Sequence, residues 1–253
     1  MLRVHSVLLA KEGLLPSECE DAVGVRTDLG RVCVADGATE SFDSRSWARL
    51  LTKHWARSHG LVERNELEPW WAALGDRQSQ RWDGRVLPWY AEEKAASGAF
   101  AAFVGVAFSA GTPGGYTWEA VALGDACLVH KRDGAILESL PISDPEQFGY
   151  HPRLVPSARI RQAGLGSEAT CASGMARPGD LFLLLTDAIA AWYLRRAQVA
   201  PEVISEFERL LEDDEHDALA ALVTSERDGK RLRNDDVAAV LVRTSSPAIP
   251  VPA

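Results

Sequence analysis

Acids placed at the ends of apolar runs constrain this chain more than any other feature. Val32-Cys-Val-Ala-Asp36-Gly37 is an apolar run closed by Asp-Gly, and Leu181-Phe-Leu-Leu-Leu-Thr-Asp187 is a second that ends in Asp. Asn234-Asp235-Asp236-Val237 opens a third, Val121-Ala-Leu-Gly124-Asp125 sets an acid beside a glycine, and Glu20-Asp21 precedes Ala22–Arg26. Short apolar runs bounded by Asp and Gly read as buried strands. An ionised carboxylate at the mouth of such a strand is costly unless it is paired or bound to a cation. Taken singly, Asp187 also fits a helix start and Asp36-Gly37 a turn. Few of the 27 basic residues lie near these positions in sequence. Carboxylates converging at strand ends would repel and raise one another's pKa unless a divalent cation cancels the charge. Oxygen ligands without His or Cys favour Mg²⁺ or Mn²⁺ over zinc.

The remaining composition narrows the function classes. With 46% hydrophobic and 25% charged residues among 253, the chain is globular and long enough for a sizeable core. Thirty-six acidic against 27 basic residues, a net charge of −9, argue against nucleic acid as a partner. Apolar runs such as Leu181–Leu185 fall far short of the roughly 20 residues that span a bilayer, so no membrane association is expected. Met1-Leu-Arg-Val-His-Ser lacks the basic-then-apolar order of an export signal, and a cytoplasmic location is expected. Cys19, Cys33, Cys127 and Cys171 are scattered without zinc-ligand spacing and read as reduced, buried thiols. The six histidines form no H-E-x-x-H or other zinc pattern.

The pattern predicts strands over Val4–Leu9, Ala22–Arg26, Arg31–Ala35, Phe100–Ser109, Tyr116–Leu123, Cys127–Lys131, Ala135–Ser139, Asp180–Thr186 and Val237–Arg243. Helices are predicted over Arg45–Ser58 (capped by Ser44), Trp89–Ala96, Asp187–Ala197, Glu202–Leu211 and Glu215–Glu226. Gly111-Thr-Pro-Gly-Gly115 reads as a hairpin turn, residues 60–90 as less regular, and 141–168 as a long connection. Strands with helices set between them, and few β-α-β units, point to an α+β fold around antiparallel sheets. The chain reads as a single domain over 1–244 with a loose tail over 245–253. Trp70-Trp71, Trp82 and Trp89-Tyr90, interleaved with Arg77, Arg81 and Arg85, read as rings covering a helix layer and burying Arg stems. Glu212-Asp-Asp-Glu215 lacks the ligand spacing of an EF-hand loop and reads as a solvated helix junction.

Glu20-Asp21, Asp36-Gly37, Gly124-Asp125, Pro178-Gly-Asp-Leu-Phe-Leu-Leu-Leu-Thr-Asp187 and Asn234-Asp-Asp-Val-Ala-Ala-Val-Leu-Val242 occur in the order and approximate spacing of a known family. Over residues 4–243 the chain resembles the metal-dependent PP2C-type (PPM) Ser/Thr protein phosphatases, as a divergent bacterial-type member. The resemblance implies a four-layer α-β-β-α sandwich with a binuclear Mg²⁺ or Mn²⁺ site at one end of two sheets. By position, Asp36 looks like the carboxylate bridging both ions, with Gly37 offering its carbonyl to one of them. Asp187 and Asp235 are similar to the acids that complete the first ion's shell; with Asp36 they form the catalytic set. Glu20 and Asp21 would reach the second ion, Asp125 resembles the acid that holds a third, and Asp236 would be an outer hydrogen-bond partner. The implied activity is hydrolysis of phosphoserine or phosphothreonine by a water bridging two ions, on a phosphorylated protein and opposite a Ser/Thr kinase.

The sequence also departs from the family pattern. Leu14-Leu-Pro-Ser17 stands where many members carry a phosphate-holding Arg, leaving Lys11 as the nearest cation. Ala38-Thr39-Glu40-Ser41 stands where the family commonly has His-Gly, or an apolar residue plus Gly, after Asp-Gly, and a His acid at position 38 is excluded. Ser-Asp-Gly becomes Thr186-Asp187-Ala188, and Gly-Asp-Ser-Arg becomes Gly124-Asp125-Ala126-Cys127. These departures imply altered substrate handling. A catalytically weak regulatory module on the same sandwich, or a phosphatase of small phosphorylated molecules, are the alternative readings.

Overall fold

The run Arg31–Gly37 shows how the layers arise. Val32 and Val34 enter one buried cluster, while Cys33 and Ala35 enter another on the opposite face. Leu181–Leu185 behaves alike, with Phe182 and Leu184 on one side and Leu181, Leu183 and Leu185 on the other. Side chains alternate across a strand, so a run that is apolar on both faces must be covered on both. Two such sheets face each other, and each is backed by helices.

The computed structural model describes residues 1–58, 63–112, 115–149 and 152–246. In chain order its elements are β1 (Leu2–Leu9), β2 (Ala22–Arg26), β3 (Arg31–Gly37), α1 (Ser44–Arg57), α2 (Leu67–Gln80), α3 (Trp89–Ser97), β4 (Phe100–Thr112) and β5 (Gly115–Leu123). There follow β6 (Cys127–Arg132), β7 (Ala135–Leu140), β8 (Val155–Pro156), α4 (Leu165–Glu168), β9 (Thr170–Ala176) and β10 (Leu181–Leu185). The chain closes with α5 (Asp187–Val199), α6 (Pro201–Glu212), α7 (His216–Asp228) and β11 (Val237–Thr244). One sheet has the order β1-β11-β10-β6-β7 and the other β2-β3-β4-β5-β9, with β8 pairing β4. Every pairing is antiparallel. This is the expected α-β-β-α sandwich.

Helix α1 shows how the outer layers attach. Trp47, Leu51 and Trp55 recur every four residues and are buried against the second sheet. Their indoles also carry polar anchors: Trp47 Nε1 donates to the Val155 carbonyl at 2.8 Å and Trp55 Nε1 to that of Val32 at 3.1 Å. On the other side α5, α6 and α7 bury Trp192, Phe207 and Leu219 against the first sheet.

Several sequence expectations are corrected. Residues 67–80, expected to be irregular, form α2, whose Leu67, Trp71 and Leu74 are buried at helical spacing. Strand β9 falls where no element was expected; it is a half-exposed edge paired with β5. Ser44 does not cap α1. The cap position is Asp43, in a left-handed conformation with φ 55°, and the Ser44 hydroxyl is committed elsewhere. All four cysteines are free, but Cys171 lies exposed on the edge strand β9 instead of buried.

Other expectations stand. For the tryptophan segment this holds in part: Trp71 is fully buried and Trp82 Nε1 donates to Asp43 Oδ2 at 2.9 Å with Arg85 over its ring, whereas Trp89 is 83% exposed and is not a covering ring. Glu212 pairs with Arg243, and Asp213 and Glu215 pair with Arg209, so the acidic run is a helix junction. His59, the turn residues 113–114 and the tail residues 247–253 lie outside the described residues. Among the described residues, no helix is long and apolar enough to cross a membrane.

Candidate active site

Strands β10 and β11 run antiparallel side by side, Leu185 opposite Ala239. The residues after β10 and before β11 therefore emerge at the same end of the sheet, and these include Asp187 and Asp235. In the facing sheet, Asp36 at the end of β3 lies opposite Ala102 of β4. The β5–β6 connection adds Asp125. Asp36, Gly37, Asp125, Asp187 and Asp235 line one cavity of about 280 Å³, together with Thr39, Leu154 and Arg233.

Two glycines permit this approach. A Cβ on Gly37 would stand 2.9 Å from the Glu20 carbonyl oxygen. Gly124 has φ +101°, and a Cβ there would meet the Ala102 Cβ at 2.6 Å. Gly124→Ala combines a left-handed backbone with overpacking beside Asp125. It is expected to lower stability by about 2–3 kcal/mol in urea unfolding, with the denaturant slope unchanged.

Asp21 lies nearly fully buried behind the cavity. The Thr186 hydroxyl donates to Asp21 Oδ2 at 2.8 Å and accepts the Ala238 N–H at 2.9 Å, tying β2 to the ends of β10 and β11. Glu20 is directed differently. Its Oε1 accepts from the Ser44 hydroxyl at 2.5 Å, and its side chain is not part of the cavity wall. Asp236 accepts the backbone N–H groups of Lys11 at 2.8 Å and Glu20 at 2.7 Å, fixing the segment between them around the site. Ala188 follows Asp187 within α5 without a positive φ, so no glycine is needed there.

Arg233 was not singled out by the sequence pattern. Its Nη2 pairs with Asp187 and, at 3.0 Å, with Asp235. The available signal was its position two residues before Asp235, in Arg231-Leu-Arg233.

The electrostatics follow from this crowding. Burial, and then the charges of Asp21, Asp187, Asp125 and Asp235, push the Asp36 carboxyl well above the usual carboxylate range. Burial also raises Asp21 strongly; the Thr186 hydrogen bond opposes it, and Asp236, Asp187 and Asp235 add to it. Asp125 is pushed up to about 7, by burial first and Asp187 next. Among the described residues, no three His, Cys, Asp or Glu side chains are already arrayed as a metal-ligand set. The donor chemistry nevertheless fits hard divalent cations: four carboxylates and Gly37 share a wall with one guanidinium.

A family model described as protein phosphatase 2C matches residues 16–224. The chain belongs to that family. The matched span holds Glu20, Asp21, Asp36, Asp125 and Asp187, whereas Asp235 lies beyond it and joins the site through the β10–β11 pairing. No curated protein matches this protein phosphatase 2C member. Among solved structures, the catalytic domain of the serine/threonine protein phosphatase PstP, in complex with two manganese ions, is 17% identical. That alignment covers 97% of this chain and 100% of the other, with a TM-score of 0.63. PstP/Ppp of Mycobacterium tuberculosis is 18% identical over 96% of this chain and 99% of its own, with a TM-score of 0.59. PppA of Pseudomonas aeruginosa, a regulatory component of T6SS, is 21% identical over 96% and 97%, with a TM-score of 0.55. At these identities the likeness establishes a shared fold.

Proposed function

We propose that this protein phosphatase 2C member hydrolyses phosphoserine or phosphothreonine in proteins, using Mg²⁺ or Mn²⁺, in a single catalytic domain over residues 1–244. The observation that carries this reading is the convergence of Asp36, Asp125, Asp187 and Asp235 on one cavity. Asp36, Asp187 and Asp235 would hold a first ion. Asp36 and Asp21 would serve a second, which Glu20 would join only on releasing Ser44; Gly37 would offer its carbonyl to one of the two, and Asp125 would hold a third. Bound ions supply the Lewis acidity and positive charge that phosphomonoester hydrolysis requires. The chain supplies position: strand ends fix the carboxylates, while Thr186 and Asp236 hold the surrounding backbone through the hydrogen bonds described above. A place in the cytoplasm opposite a Ser/Thr kinase belongs to the same proposal.

The test is hydrolysis of para-nitrophenyl phosphate and of phosphoserine and phosphothreonine peptides with Mn²⁺, Mg²⁺ or EDTA. Turnover that needs the metal and prefers phosphopeptides over phosphorylated metabolites is the expected result. Wild-type protein inactive with every metal would overturn the enzymatic reading, and equal rates on metabolites would remove the protein substrate.

A further inference from the structure

A phosphate entering this cavity meets carboxylates on most sides, so something in the wall must offset their repulsion. The position where the resemblance implies a phosphate-holding Arg is occupied by Leu14-Leu-Pro-Ser17. Lys11 does not replace it in the wall; its backbone N–H is what reaches the site's periphery, on Asp236. Among the described residues lining the cavity, the one cation is Arg233.

We propose that Arg233 is the phosphate-anchoring residue of this chain, held between Asp187 and Asp235 until a divalent cation claims those carboxylates. The inference rests on the phosphatase reading. Arg233 enters from the segment before β11, whose Asn234 and Asp236 side chains accept the backbone N–H groups of Glu12 and Lys11 at 2.8 Å each, so it stands beside the N-terminal segment that carries the family's usual anchor. Its side chain is 54% exposed, so packing does not lock it. Both of its ion pairs use Nη2, and a guanidinium has further donors in a planar fork suited to two phosphate oxygens. Its present partners are the carboxylates assigned to the first ion. Cation and guanidinium therefore compete for them, and a phosphate that gives Arg233 a new partner favours ion binding. Linkage makes the effect reciprocal.

Arg233→Gln and Arg233→Lys test this by calorimetric titration with Mn²⁺ alone, then with inorganic phosphate on the Mn²⁺-loaded protein. Removal of the competitor is expected to tighten Mn²⁺ binding about tenfold in Arg233→Gln. Phosphate binding is expected to weaken about tenfold or more, the range of one charge-assisted bidentate contact. The KM for a phosphopeptide should rise more than kcat falls, and Arg233→Lys should recover part of the phosphate affinity. Unchanged phosphate affinity, or weaker Mn²⁺ binding in Arg233→Gln, would make Arg233 a structural prop and overturn the proposal. Should the Gln variant not fold, Arg233→Lys carries the test, since a point charge without the fork must still loosen phosphate. Wild-type turnover judges the phosphatase reading separately, because both titrations are measured without catalysis.

Discussion

Asp36→Asn is expected to lower Mn²⁺-supported kcat on a phosphomonoester about a thousandfold, and to raise the melting temperature of the metal-free protein. The two effects share one cause. Asp36 sits where the fields of Asp21, Asp187, Asp125 and Asp235 overlap, in addition to its own burial. Asn keeps the shape of the side chain and its place opposite Ala102 while removing the charge. On the proposed reading Asp36 would be a ligand of the ions, and its loss would cost the transition state several kcal/mol of charge stabilisation, which corresponds to about 10³ in rate. In metal-free protein the same change removes repulsion that the fold otherwise tolerates. A buried polar substitution ordinarily destabilises, so a gain in stability is diagnostic. Kinetics with Mn²⁺ and thermal melts in EDTA measure both. Mn²⁺ should lift the wild-type melting temperature far more than that of the variant, by mass action on the folded state. A variant that keeps wild-type turnover, or melts lower in EDTA, would mean that the acids do not share one charge problem.

The layers were legible because local chemistry and tertiary role coincide along Val32–Ala35 and Leu181–Leu185. A strand that is apolar on both faces admits few arrangements besides a covered sheet. The acids at strand ends were legible for the same reason, since each interrupts an otherwise apolar run. Helix α2 was not. Pro69, two tryptophans and Gly75 give it weak local propensity, and it is held by long-range packing. At Gly75 a Cβ would come 2.2 Å from the Ser157 carbonyl oxygen, a constraint set some eighty residues away in sequence. The short-side-chain run Thr170–Ala176 has little apolar alternation, and only pairing with β5 makes it a strand. Glu20 and Asp21 look alike in sequence, yet one meets Ser44 and the other Thr186, because successive side chains point to different neighbours. Arg233 was hidden because one of its partners, Asp187, comes from another strand end.

In EDTA, the protein is expected to be most stable near pH 4 and to lose stability steadily toward pH 8. The sign follows from the carboxyl groups at the site. Asp125 titrates near 3.8 when unfolded and at about 7 when folded, because burial and then Asp187 favour its protonated form. A raised carboxyl contributes stability that is complete below the unfolded value and disappears as pH rises through the folded one. For Asp125 that interval is worth on the order of 4 kcal/mol. Asp36 and Asp21 are raised in the same direction and extend the loss to higher pH. Below about pH 4 the opposite group takes over. Asp180 is held low by Arg132 and His130 despite its burial, and Glu212 is held low by Arg243, so protonating them removes native ion pairs. Divalent cations bind the ionised carboxylates and must reverse the alkaline limb, stabilising the protein more at pH 8 than at pH 5. Urea unfolding at pH 5 and pH 8, in EDTA and in Mn²⁺, measures all four corners. Greater stability at pH 8 than at pH 5 in EDTA would show that these carboxylates ionise at no cost, and with it the need for cations at the site would vanish.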